Sequence, residues 1–201
     1  MRKSWLVFFI LCVAGWTLNA AEETEQISRF ERAALTRESA AESYRMEAET
    51  LAKDSDFLAN SLAPNSSNSQ QRIYYSDASG VKYEKAGDLM VVVRRQYQMA
   101  LTNWTSAERE YRLSEDTEPQ AVRARSKGEE NRLESYRCAG VAADYFEAGA
   151  TYYGDADKYE KQGGCFTKAS LILEELAKDR SRPVRKKPAV ESVANETKGV
   201  R

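Results

Sequence analysis

The 201-residue chain has no histidine, four prolines, ten glycines and three cysteines. The missing imidazole removes a Ser-His-Asp triad, a Cys-His pair, His-ligated zinc and histidine acid–base catalysis together. Scarce proline and glycine argue against sandwiches, barrels and a wholly disordered chain, and favour helices. What is present is 42% hydrophobic and 30% charged residues, enough to bury one domain-sized core. Carboxylate-only or lysine-dependent chemistry passes this filter.

The chain has one long apolar run, at its start. Met1-Arg2-Lys3 precedes Trp5 to Trp16, and Thr17-Leu18-Asn19-Ala20 precedes Glu22-Glu23. A short basic start, an apolar stretch and a small residue at the cut describe a cleaved signal peptide over residues 1–20. The run is short for a membrane span, so an uncleaved anchor is the lesser alternative. Cys12 follows Leu11 rather than a small residue, which does not fit a lipid-attachment cysteine. The expected location is therefore extracytoplasmic, periplasmic or secreted.

Without the signal, two cysteines remain, Cys138 and Cys165. An even pair in an exported chain predicts a disulfide, worth roughly 3 kcal/mol on the chain-entropy account. The competing reading is two independent buried thiols.

Charge is segregated. Residues 21–177 carry 20 basic and 28 acidic side chains, a net of −8, whereas residues 178–201 carry 8 basic and 3 acidic, a net of +5. The formal total of −1 conceals an acidic body with a basic tail.

The expected fold class is all-α, an antiparallel bundle of most simply four helices over residues 21–178, followed by a basic, Pro-containing disordered tail over 179–201. The first helix is predicted over 27–62, on the spacing of Phe30, Ala34, Ala41, Tyr44, Ala48, Leu51, Leu58 and Leu62. The Pro64 to Ser69 segment stops it. Residues 70–80 are ambiguous, and a second helix is predicted over 81–113. Thr117 is a candidate cap with Pro119 in the first turn of a third helix. A turn at Tyr152 to Asp155 separates it from a fourth over 156–178.

In the second helix Tyr83, Met90, Tyr97, Trp104 and Tyr111 fall seven residues apart, with Ala86, Val93, Ala100 and Ala107 three positions later. That alternation of a large row and a small row describes close helix packing, though an aromatic row also suits a ligand platform. An echo accompanies it: Lys82-Tyr-Glu-Lys resembles Lys158-Tyr-Glu-Lys, and Glu42-Ser-Tyr-Arg45 recurs as Glu134-Ser-Tyr-Arg137. Shared order and phase predict a duplicated helix hairpin, with Tyr159, Phe166, Ala169 and Leu173 matching Tyr83, Met90, Val93 and Tyr97. Residues 143–176 resemble a single tetratricopeptide repeat through Phe146, Gly149, Ala150, Tyr153, Phe166 and Ala169. No second register of 34 residues exists, and the resemblance implies helix-hairpin packing only.

The acidic pairs Asp54/Asp56, Glu129/Glu130 and Glu174/Glu175 lack the histidines of a di-metal bundle, and Asp155-Ala-Asp157 lacks a calcium-loop schedule. No cofactor, metal site or catalytic residue is expected. Gly163-Gly164 costs roughly 1–2 kcal/mol relative to alanine inside a helix, so a close helix approach or a kink beside Cys165 is expected there. Asn65-Ser-Ser, Asn103-Trp-Thr and Asn195-Glu-Thr match the N-glycosylation pattern.

The basic stretch Lys178 to Pro188, with Arg180, Arg182, Arg185, Lys186 and Lys187, is expected to be extended and to contact an anionic surface. It has no aromatic residue for stacking bases, so no specific nucleic acid is expected. The leading function is an exported, non-enzymatic helical scaffold of the cell envelope or periplasm, binding an unidentified protein partner and tethered by its tail. The alternatives are a carboxylate-dependent hydrolase or transferase in an interhelical cleft, and a small-ligand carrier. A homo-oligomer is also compatible, because heptads do not separate a bundle from a coiled-coil dimer.

Overall fold

The computed structural model describes residues 28–114 and 117–181. The signal segment 1–20, the tail residues Arg182, Arg185, Lys186 and Lys187, and Asn195 lie outside the described residues. Among the described residues there are four long helices and no strand: α1 (Arg29–Phe57), α2 (Ser69–Leu113), α3 (Glu118–Asp155) and α4 (Tyr159–Ser181). A π-helical turn, Leu58–Leu62, extends α1 towards the connection.

Local chemistry sets the ends. The Ser28 hydroxyl accepts from the Phe30 amide at 3.2 Å, and Asn68 Oδ1 accepts from the Gln71 amide at 2.8 Å, each satisfying an orphan donor of a first turn. Thr117 takes the cap position of α3, but its hydroxyl reaches back to the Tyr111 and Ser114 carbonyls at the end of α2. Asp157 turns the chain between α3 and α4 at φ 59°, a left-handed conformation that aspartate tolerates.

Three boundaries differ from the sequence reading. The second helix begins at Ser69, twelve residues before the expected start, and runs straight through Gly80. Helix α3 continues through Tyr152 to Asp155, which places the turn just beyond the expected one. Helix α4 continues to Ser181, so Lys178, Asp179 and Arg180 are helical and not part of an extended tail.

The helices that are neighbours in sequence pack together, while α1 and α4 share no comparable interface. Along α2, Asp77, Glu84, Asp88 and Arg94 bond side chains of α4, whereas Tyr83, Tyr97, Trp104 and Tyr111 bond side chains of α1. The α2–α3 pair is therefore a central layer with α1 on one face and α4 on the other. Two cores share that layer, the larger drawn from all four helices and the smaller from α1, α2 and α3. One contains Phe146, Tyr153, Met90 and Cys165; the other joins Trp104, Tyr111, Ala34, Ala121 and Ala124.

Glycine permits the central contact. A Cβ on Gly80 would stand 2.7 Å from the Tyr153 ring, and one on Gly87 would stand 2.8 Å from the Phe146 ring. The two glycines are seven residues apart, as are the two rings, so α2 and α3 interlock over two heptads. Gly163 and Gly164 behave differently, because a Cβ on either meets nothing within 4 Å. The expected close approach beside Cys165 is absent.

The sequence echo extends to packing at Ala169, buried like its counterpart Val93, and not at the other three matched positions. Tyr83 is buried, yet its counterpart Tyr159 is 67% exposed, and Phe166 and Leu173 are exposed too. Helix α4 instead buries Cys165, Ala169, Ile172 and Leu176. The common local feature is an i,i+3 ion pair, Arg45 with Glu42 and Arg137 with Glu134.

Candidate functional site

The large row of α2 meets a small row of α1. Ala34, Ala41, Ala48 and Ser55, themselves seven apart, are fully buried against it. Small residues let the backbones approach, and α1 carboxylates then receive the polar tips of the large side chains. Tyr111 Oη donates to Glu31 Oε2 at 2.6 Å, Trp104 Nε1 to Glu38 Oε1 at 2.6 Å, Tyr97 Oη to Glu42 Oε1 at 2.6 Å, and Tyr83 Oη to Asp56 Oδ1 at 2.5 Å. Every hydrogen-bonding member of the row is matched. Met90, its one thioether, has no donor to place.

Links to α3 close the seam. Asn131 Nδ2 donates to Glu38 Oε1 at 2.6 Å, and Arg123 Nη2 lies 3.2 Å from Glu31 Oε1. On the other face Glu84 accepts from Tyr153 Oη at 2.8 Å and from Lys168 Nζ at 2.9 Å. Burial opposes the Glu84 charge, but the bonds from Lys168 and Tyr153 outweigh it and hold its carboxyl below the usual range. Burial first, and the adjoining carboxylates second, push Tyr83, Tyr97, Tyr111 and Tyr153 above the ordinary phenol value.

The acidic pairs singled out by sequence diverge. Asp54 binds Lys82 at 3.0 Å while Asp56 takes Tyr83; Glu129 binds Arg132 while Glu130 binds Lys127 at 2.6 Å. Glu174 binds Lys178 at 2.7 Å, and Glu175 binds Arg94 at 2.9 Å. Helical positions one and two residues apart point about 100° and 200° apart, which separates the members of each pair. Among the described residues no three Cys, Asp or Glu side chains converge as a metal cluster.

Two concavities stand out among the described residues. An open groove of about 480 Å³ lies between α2 and α4, lined by Val91, Arg94, Arg95, Gln98, Glu175, Lys178 and Asp179. A cavity of about 60 Å³ lies among Arg45, Glu49, Met90, Glu134, Cys138 and Tyr145. The row of Tyr and Trp surrounds neither of them.

Comparison with family models, curated proteins and solved structures finds no match to this chain. The functional reading therefore rests on the molecule's own geometry.

Cys138 and Cys165 are both buried and both free, so the expected disulfide is not formed. The α3–α4 register gives the reason. Asp179 lies beside Tyr136, and Lys168 lies over Phe146, which sets Cys165 level with residues near 150. That is about twelve residues, or roughly 18 Å, along α3 from Cys138, well beyond the ~7 Å Cα separation that a disulfide spans. Burial, reinforced by Glu134 and Glu84 respectively, pushes both thiols up to about 11.

Of the tail cations, Arg180 belongs to α4, with its guanidinium 5.8 Å from the Tyr136 ring centre. Arg132 lies at the same distance from that ring. Asn65 is exposed in the α1–α2 connection, whereas Asn103 is half-buried on α2. No helix among the described residues is long and apolar enough to cross a membrane. Sequence reasoning passed over Arg95, Arg109 and Arg125, which are exposed and form no ion pair among the described residues. The available signal was the seven-residue step through Asp88, Arg95, Thr102 and Arg109.

Proposed function

We propose that this chain is an exported, non-enzymatic helical scaffold of the cell envelope or periplasm that binds a protein partner through its acidic helix faces. Its basic tail tethers it to an anionic surface. The observation that carries the reading is the closed seam: the Tyr and Trp tips spend their hydrogen bonds on Glu31, Glu38, Glu42 and Asp56. Those side chains are thereby withdrawn from substrate or ligand binding, which weakens the cleft-enzyme and carrier alternatives. Glu47, Asp144, Glu147 and Asp155 supply a free acidic surface, being exposed or terminal on their helices without an ion pair among the described residues. Any homo-oligomer would have to use a face other than the heptad seam, which one chain already fills.

The test is crosslinking and capture from the native extracytoplasmic fraction with residues 21–201 and 21–181. A partner retained by both forms, and lost on Asp144→Lys/Glu147→Lys, supports recognition by the body. Recovery of the chain with Met1 intact from the cytosol overturns the exported assignment. Absence of a specific partner with either form overturns the scaffold.

A further inference from the structure

We propose that the small cavity beside Met90 binds one soft monovalent metal ion of the copper(I) and silver(I) class, held between the Met90 thioether and the Cys138 thiolate. The inference goes beyond the scaffold reading and does not depend on it.

The site is a missing rung in the seam. Glu42, Glu49 and Asp56 step by sevens along α1, as Tyr97, Met90 and Tyr83 do in reverse along α2. Tyr97 Oη donates to Glu42, and Tyr83 Oη donates to Asp56. By that register the side chain opposite Glu49 is Met90, which has no hydrogen to donate. Glu49 turns instead to Arg45, 3.9 Å away. Where a tyrosine would complete the ladder, a cavity of about 60 Å³ opens among α1, α2 and α3. It is well below the few hundred Å³ that an organic ligand occupies.

The lining decides what fits. Met90 and Cys138 are 3% and 2% exposed and form the floor, whereas Glu49 and Arg137 are exposed at the rim. Glu134 stands one turn before Cys138 on the same face of α3. Its Oε2 is buried without a hydrogen-bond partner among the described residues. Water would gain little from a thioether and a thiol, which are weak hydrogen-bonding groups. The same two sulfurs are soft donors, and soft donors select copper(I)-like ions. A bulky thiol reagent does not fit this space; a bare ion does.

Charge suits a cation as well. Arg45 lies 2.6 Å from Glu42 and 3.9 Å from Glu49, and Arg137 lies 3.7 Å from Glu134. Three carboxylates thus stand against two guanidiniums around the cavity. On binding, the thiol S–H bond gives way to a metal–sulfur bond and the proton passes to water. The ion keeps its oxidation state. Cys165 supplies an internal comparison, because it is equally buried and lines neither concavity.

The experiment titrates the full chain carrying Cys12→Ala/Cys165→Ala, in which Cys138 is the one remaining thiol, with silver nitrate in chloride-free buffer. Silver(I) needs no reductant. Native mass spectrometry counts bound ions, competition with a thioether chelator gives the affinity, and circular dichroism follows helicity. One ion should bind per chain, with helicity kept and the thermal midpoint raised. Met90→Leu preserves core volume and should weaken binding roughly tenfold or more, as loss of a ligand does. The chain with Cys12→Ala/Cys138→Ala, which keeps Cys165, should bind no more tightly than that variant. Unchanged affinity on Met90→Leu overturns the site, because a lone thiol then suffices. Equal binding through Cys165 overturns it too, because burial and not the cavity then matters. Loss of helix on silver binding overturns a preformed site, and tighter binding of zinc than of silver overturns the soft-ion assignment. Failure of the Cys138 chain to bind silver removes the proposal altogether.

Discussion

Trp104 Nε1 donates to Glu38 Oε1 at 2.6 Å, and that oxygen accepts a second bond of 2.6 Å from Asn131 Nδ2. One carboxylate oxygen on α1 thereby satisfies a buried donor from each helix of the central layer. Glu38→Ala leaves both donors without this acceptor. At about 1–3 kcal/mol for an unmet buried group, the expected loss is roughly 2–4 kcal/mol, since Asn131 keeps its bond to the Lys127 carbonyl. Glu38→Gln retains an oxygen acceptor and should cost less than half as much. Urea unfolding of both variants checks the order; equal losses would place the cost in packing instead.

Glycine substitutions should divide by location. Gly80→Ala drives a methyl into the Tyr153 ring, where the built Cβ stands 2.7 Å from Cδ1. The helix-propensity gain of about 1 kcal/mol is opposed by an overpacking cost of roughly 1–3 kcal/mol, so net destabilisation is expected. Gly163→Ala and Gly164→Ala meet open space and should each stabilise by up to about 1 kcal/mol. Thermal unfolding midpoints that move down for the first and up for the other two confirm the division.

The seam also fixes an alkaline limit. Tyr83, Tyr97, Tyr111 and Tyr153 are raised above 10.0 by burial and by the carboxylates that accept their protons' hydrogen bonds. The unfolded chain releases those protons near pH 10, while the folded chain retains them to higher pH. Their stabilising contribution is therefore complete below about pH 10 and is lost as pH rises through the folded values. Urea midpoints should begin to fall above that pH, and tyrosinate absorbance should rise together with loss of helix. Tyr97→Phe should flatten the decline. Independent titration of every tyrosine near pH 10 with helicity intact would remove this account.

The fold was legible where large or small residues repeated at sevens, and less so where the repeat mixed sizes or broke. The Tyr83-to-Tyr111 row announced α2 because bulky side chains at sevens dominate a periodicity. On α1 the periodicity rightly included Ala34, Ala41 and Ala48, which are buried, but it overvalued Tyr44, which is exposed, and passed over Ser55. A helix lying on a large row must itself be small there, and which row the α1 alanines meet emerges only once the partner is known. Residues 70–80 read as ambiguous, yet the demand of the Tyr153 ring for space explains Gly80, and α2 runs through it. The bonds accepted by Glu31, Glu38, Glu42 and Asp56 were not legible, because their partners lie 27 to 80 residues away.

The two thiols provide the sharpest test of that register. Each is buried, and each is pushed up to about 11, chiefly by burial. Little thiolate exists at neutral pH, and access is closed, so both should resist an aromatic disulfide reagent in the native protein and react fully in denaturant. The mass of the purified chain should not change on reduction. Each unpaired cysteine serves as a small apolar side chain inside a core. Cys165 does so beside Ala169 and Ile172, and Cys138 beside Ala139 and Ala142. A Cys138–Cys165 crosslink recovered from native protein would require α4 to slide about three turns along α3. Such a slide breaks the Arg94 pairs with Glu175 and Asp179 and lifts Lys168 from Phe146. Peptide mapping without reduction thus discriminates between two whole arrangements of α4, not merely between two states of a sulfur pair.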